Sequence, residues 1–191
     1  FVFTPASYSD GVVGQLQREP GMTLGVWQMR PESRGYVRAR SADPNEPPAI
    51  QPNYLADEVD RRSIVDGLRW ARRLLASPAL EPYRGPETLP GSAVRSEDEL
   101  LAYARAKGAT VYHAIGTCRM GTDLEAVVGP DLRVRGLEGL RGVDASVMPT
   151  MVSANTNAAT LMIAEKASDL IRNAACAGAG LPASGAGTEA S

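Results

Sequence analysis

Apolar residues recur at helical spacing in three stretches of the chain. In the first, Ile64, Leu68, Ala71 and Leu75 fall four, three and four apart, so they share one helix face. Asp57 stands where an N-cap belongs, and the helix is expected to run to about Leu75, with Pro78 closing it. Arg61, Arg62, Arg69, Arg72 and Arg73 then form its wet face. Residues 78–95 hold prolines and glycines and read as a loop. Ser96-Glu97-Asp98-Glu99 has the form of a capping box, opening a second helix that runs to about Lys107 and stops at Gly108. The third helix is capped by Asn155 or Thr156 and runs to about Arg172. Ala158, Leu161, Met162, Ala164, Ala167, Leu170 and Ile171 make it apolar over most of its girth, which predicts burial between layers.

Alternation at strand spacing is shorter and weaker. Residues 1–22 read as irregular, broken by Pro5, Gly11, Gly14, Pro20 and Gly21. Thr23–Met29 and Tyr36–Arg40 alternate across the Pro31–Gly35 turn and are expected to pair antiparallel with each other. Ala49–Asn53 is a third short strand. Thr110–Ile115 is β-rich and predicts a strand carrying His113; Gly116–Pro130 follows as a loop, and Leu132–Val134 and Leu140–Val143 as short strands. Residues 176–191 are Ala, Gly and Ser with one Pro and read as a disordered tail.

Composition narrows the function classes. A chain of 191 residues can bury a proper core. Net charge is −2 and aromatics make up 5%, so neither a basic footprint nor a stacking surface for nucleic acid is present. Cys118 and Cys176 make no disulfide framework, and with one histidine they make no structural zinc site. No apolar run is long enough to span a bilayer. The first residue is Phe1, so a fragment or processed piece is expected.

The candidate chemistry gathers in residues 110–164. The single histidine, His113, is the side chain best suited to proton transfer near neutral pH. Alone on a strand, such a histidine is more often structural. Gly116, Thr117, Cys118, Arg119 and Gly121 follow it, with backbone able to approach something flat or charged. Asn155 and Asn157 open the last helix; a side-chain amide there either caps the helix or holds a substrate oxygen. Free amides and the positive macrodipole end at that helix start would stabilise a developing anion. Asp144 is either an Asx-turn former or a cofactor contact at the end of a strand. No Gly-x-Ser-x-Gly nucleophile elbow occurs, and no complete Gly-rich phosphate loop.

These residues, taken in order, resemble the C-terminal half of the glucose–methanol–choline (GMC) oxidoreductases. The Tyr-His-x-x-Gly-Thr-Cys-Arg-Met-Gly run falls on Tyr112–Gly121, the Leu-Arg-x-x-Asp-Ala-Ser-x-Met-Pro run on Leu140–Pro149, and the Asn-x-Asn helix start with Met-Ile-Ala-Glu-Lys-Ala on Asn155–Ala167. Arg30–Gly35 and Ser41–Pro44 also resemble that family's substrate domain. The resemblance implies an FAD-dependent oxidation of a small-molecule alcohol to an aldehyde. His113 would be the base, Asn155 the residue that holds the alcohol oxygen, and Asp144, Ala145, Asn155, Thr156 and Asn157 the flavin contacts. The final electron acceptor, oxygen or a quinone or dye, stays open, as does location in the cytoplasm or at the periphery of the inner membrane. Nucleic acid and metal are not expected partners.

The expected fold is α+β: an antiparallel sheet with flanking helices as part of a substrate-binding domain over 1–135, and a segment over 136–175 that completes an FAD-binding α/β domain. The family's Gly-x-Gly-x-x-Gly is absent from these residues, so weak FAD binding or none by these residues alone is expected. An isolated α+β binding or interaction module is the alternative reading. Smaller departures are Gly142, where a branched aliphatic residue is usual, Gly129 for a common Asp, and Ala114 for a frequent Pro.

Overall fold

The structure, a computed structural model, describes residues 1–8 and 15–178, the last three by their backbone. It is α+β, with short antiparallel ribbons and helices, in two compact units, Phe1–Val111 and Tyr112–Ser191.

In the first unit, β1 (Val2–Thr4) pairs antiparallel with β2 (Thr23–Gly25), Val2 opposite Gly25. β3 (Tyr36–Arg38) pairs with β4 (Ala49–Gln51), Tyr36 opposite Gln51. The expected pairing of the 23–29 and 36–40 stretches with each other is therefore wrong, and residues 1–22 are not wholly irregular. The cause lies in the turn between β2 and β3. Its amides do not serve a hairpin: Glu32 N and Ser33 N donate to the two oxygens of Asp60, at 2.9 and 2.8 Å. The turn is thus tied to a helix, and each strand finds another partner. Gly35 sits where a Cβ would come within 2.1 Å of Gln51 O, so the β3–β4 ribbon requires glycine at its entry.

Helix α1 spans Glu58–Leu75, and Asp57 Oδ1 accepts from Val59 N at 2.8 Å as its cap. Its inner face carries Ala71 and Val65, both buried, with Ile64, Leu68 and Leu75 partly so. Gly67 costs the helix about 1 kcal/mol against Ala. A Cβ there would lie 2.2 Å from Val26 Cγ1, so its absence admits the chain that follows β2. Arg62, Arg69 and Arg73 occupy the wet face as expected. Arg61 and Arg72 do not. Arg61 donates to the carbonyls of Leu55 and Ala56, and Arg72 forms a half-buried pair with Glu87 at 2.7 Å and bonds Gly91 O. The Arg72 bonds hold the 78–95 segment, which contains a 3-10 helix at Pro78–Tyr83 rather than loop throughout.

Helix α2 (Glu97–Lys107) has the capping box: Glu99 N donates to Ser96 Oγ at 3.2 Å and Ser96 N to Glu99 Oε2 at 2.9 Å. Leu100, fully buried, packs it against α1 and contributes about 1.5–3 kcal/mol by burial.

The second unit contains α3 (Thr156–Gly178) and a folded stretch of loops. Leu132–Val134 and Leu140–Val143 form isolated bridges rather than strands, with Arg133 opposite Arg141 and Val134 opposite Val128. Gly136 and Gly139, at φ +76 and +74, turn the chain between them too tightly for a longer ladder. One core joins the loops to α3: Val128, Leu132, Val147, Met148, Ile163 and Ala167 are buried together. Helix α3 runs beyond the expected end at Arg172. It is covered on one face, not all round: Ile163 and Ala167 are buried, whereas Leu161 and Met162 are 59% and 61% exposed. The rest of the expected disordered tail, 179–191, lies outside the described residues. No described helix is long and apolar enough to cross a membrane.

Candidate active site

The His113 segment is not a strand. Tyr112 has φ +62, a left-handed conformation that costs a residue of this size roughly 1–2 kcal/mol and breaks any ladder. It turns the chain so that His113 is half-buried while Tyr112 is 77% exposed. Ile115 then packs on the core, and Gly116, at φ +83, takes a turn that only glycine adopts without strain.

Beyond the turn the loop is laced to the 144–148 segment. Cys118 N donates to Ser146 O at 3.0 Å and Met120 N to Val147 O at 2.8 Å. Gly121 N and Val128 O bond at 3.1 Å, closing the loop on its other side. Arg119 grips Asp123 with both guanidinium ends, at 2.9 and 2.7 Å, and Arg135 donates to the carbonyls of Asp123 and Gly121. The Arg119 hydrogen bonds hold the Asp123 carboxyl well below the usual carboxylate range. These clamps explain why a Gly-rich loop of this length holds one shape. Sequence reading missed them because neither arginine falls in a regular element.

Asp144 is exposed and caps the short 3-10 turn Ala145–Val147, its Oδ1 accepting from Ser146 N at 2.7 Å. The side-chain and backbone hydrogen bonds of Ser146 lower its carboxyl below the ordinary value. The Asx-turn role open in the sequence is thus present. The second oxygen stays outside that bond.

At the start of α3, Thr156 is 9% exposed, and its Oγ1 lies 3.1 Å from His113 Nδ1. Its carbonyl accepts from Thr160 Oγ1 at 2.9 Å. Asn155, the residue just before, and Asn157, just after, are both exposed. The imidazole therefore reaches the first residue of α3, and its hydrogen bond goes to Thr156, not to Asn155. The contact of the Thr156 side chain with His113 is what sequence reading missed; Thr156 stood there as a candidate helix cap and flavin contact. Its place at the first turn of a helix, beside Asn155, was the available signal. Among the described residues, no group of three metal-ligating side chains comes together.

This arrangement offers a half-buried imidazole with one nitrogen fixed, next to a helix start whose first amides have no intrahelical acceptor. An imidazole so placed can exchange a proton, and such a helix start favours an electron-rich group beside it. The family model described as GMC oxidoreductase matches residues 31–164, and the chain belongs to that family, in its C-terminal part. It is 45% identical over 151 residues to an alcohol dehydrogenase [acceptor] of Pseudomonas putida, covering 79% of this chain and 27% of that protein. It is 46% identical over 155 residues to an oxygen-dependent choline dehydrogenase of Yersinia pseudotuberculosis, covering 81% and 27%. Among solved structures, pyridoxine 4-oxidase from Mesorbium loti superposes with a TM-score of 0.69 at 36% identity, over 73% of this chain and 27% of that one. A fungal aryl-alcohol oxidase gives 0.68 at 38% identity, over 75% and 24%. The chain thus spans about a quarter of the length of these relatives.

Proposed function

We propose that this chain is the C-terminal part of an FAD-dependent oxidoreductase that converts a small-molecule alcohol to its aldehyde, with His113 as the base. The relatives named above carry alcohol and choline dehydrogenase activity in their names, and the chain shares its site motifs with that family. The observation that carries the reading is the 3.1 Å contact between His113 Nδ1 and Thr156 Oγ1. It brings the imidazole to the residue next to Asn155; on this reading one alcohol oxygen meets both side chains. His113 takes the hydroxyl proton, and the exposed Asn155 carboxamide holds the oxygen and orients the carbon that loses hydride. Base assistance of this kind is worth about 10²–10⁴-fold in rate.

The residues fit a flavin. The first-turn amides of α3 and the exposed Asn155 and Asn157 carboxamides are donors, at the positive end of a helix. Asp144, Ala145 and Thr156 complete the proposed contact set. When bound, FAD supplies the acceptor for the hydride. On this reading residues 1–135 belong to the substrate side and 136–175 complete the flavin side; this partition follows ligand contact, not compactness. In the complete flavoprotein, His113→Ala and Asn155→Ala are expected to slow flavin reduction by substrate about 10²-fold or more, far more than they weaken FAD retention. Stopped-flow absorbance measures this, and reduction of His113→Ala at the parent rate sinks the base assignment.

A further inference from the structure

We infer that Thr156 is a positioning residue: its hydroxyl accepts the Nδ1 proton of His113 and leaves Nε2 bare to take a proton. The inference rests on the reading of His113 as base. A neutral imidazole bears one proton, and the nitrogen that holds it is decided by the partner of each ring atom. Here the partner of Nδ1 is the Thr156 hydroxyl at 3.1 Å, a group that can donate or accept. With Nδ1 so engaged, a base at His113 must work through Nε2, which places the proton on Nδ1 and makes the hydroxyl the acceptor.

Three features make that hydroxyl a fixed partner. Thr156 is buried, so leaving its hydroxyl without a partner would be costly. It is β-branched, so its χ1 is stiff. It opens α3, which Ile163 and Ala167 anchor in the same core that receives Ile115 from the His113 loop. Imidazole and hydroxyl are therefore held from both sides. The strained backbone at Tyr112 aims the histidine into this contact.

The single histidine of the chain makes the tautomer directly readable. Histidine is labelled with ¹⁵N and the two ring nitrogens are observed at about pH 8.5, where an ordinary imidazole is neutral. The expected result is a proton-bearing Nδ1 and a bare Nε2. Thr156→Val, which keeps shape and removes the acceptor, should lose that preference, and Thr156→Ser should keep it. In the complete flavoprotein, Thr156→Val should slow flavin reduction about tenfold and Thr156→Ser far less, each rate taken per bound FAD. A proton on Nε2 in the parent chain overturns the inference. So do equal rate losses per bound FAD in Val and Ser, which would make Thr156 a cofactor contact only. If instead His113→Ala proves harmless while the tautomer is as expected, the base assignment fails and the positioning contact stands.

Discussion

Asp60 ties the Arg30–Gly35 turn to α1, and replacing it should loosen the first unit severely. It is 3% exposed, and its two oxygens accept from Glu32 N and Ser33 N. Ser33 Oγ in turn accepts from Asp57 N at 3.0 Å, so the turn and the helix start brace each other. Asp60→Ala removes both acceptors. Each buried amide left unsatisfied costs about 1–3 kcal/mol, and loss of a first-turn charge adds about 0.3–1. Water entry at this end of the helix offsets part of that, so the expected loss is about 2–4 kcal/mol. Asp60→Asn retains one acceptor and sets an NH₂ against an N–H, so it should recover less than half. Burial alone would raise the Asp60 carboxyl; the Ser33 hydroxyl and the Glu32 and Ser33 amides outweigh it and lower the value. A carboxyl lowered on folding stabilises fully above its unfolded value, about 3.9, and that contribution disappears as pH falls through the folded value. The parent should therefore lose stability below about pH 4, and Asp60→Asn should lose less of it there. Both tryptophans, Trp27 and Trp70, lie in the first unit, so urea titration by tryptophan fluorescence reads this unit alone. A loss under about 0.5 kcal/mol in Asp60→Ala, or full recovery in Asn, refutes the reasoning.

Two further substitutions test local arguments. Gly142→Ala should stabilise the second unit by about 0.4–1 kcal/mol, because an added Cβ meets Val128 and Val147 at an ordinary 3.4 Å and unfolded-chain entropy falls; a lower urea midpoint by circular dichroism would show that the space is not there. Ser96→Ala should cost about 1 kcal/mol by removing the cap of α2, read by the same tryptophan signal, and Ser96→Asp should restore most of it.

The helices were legible because their signals are local. Asp57, Ser96, Glu99 and Gly108 each act within a few residues of where they stand, and the apolar face of α1 repeats over several turns. Strand pairing was not legible. β2 has the alternation of a hairpin partner for β3, but that choice is settled by Asp60, a residue nearly thirty positions beyond the turn it holds. The Thr110–Ile115 stretch has β-rich composition, yet a positive φ at Tyr112 overrides it, and nothing in a tyrosine announces that conformation. Within the site, His113 and Asn155 were expected to serve one substrate oxygen, which put the His113 loop near the start of α3. The hydroxyl that actually receives the imidazole belongs to the neighbouring residue. A one-residue difference at a helix start changes which side chain points inward, and that depends on how α3 is rotated by Ile163 and Ala167 against the core.

Because the 116–121 loop hangs from the carbonyls of Ser146 and Val147, and Val147 shares a core with Val128 and Ile163, these segments must be inherited as a set. Chimaeras between relatives that cross over at residues 121–155 would marry a histidine loop to a foreign scaffold and ruin its aim. Crossovers near residue 111, where the compact units meet in sequence, would leave the whole assembly from one parent.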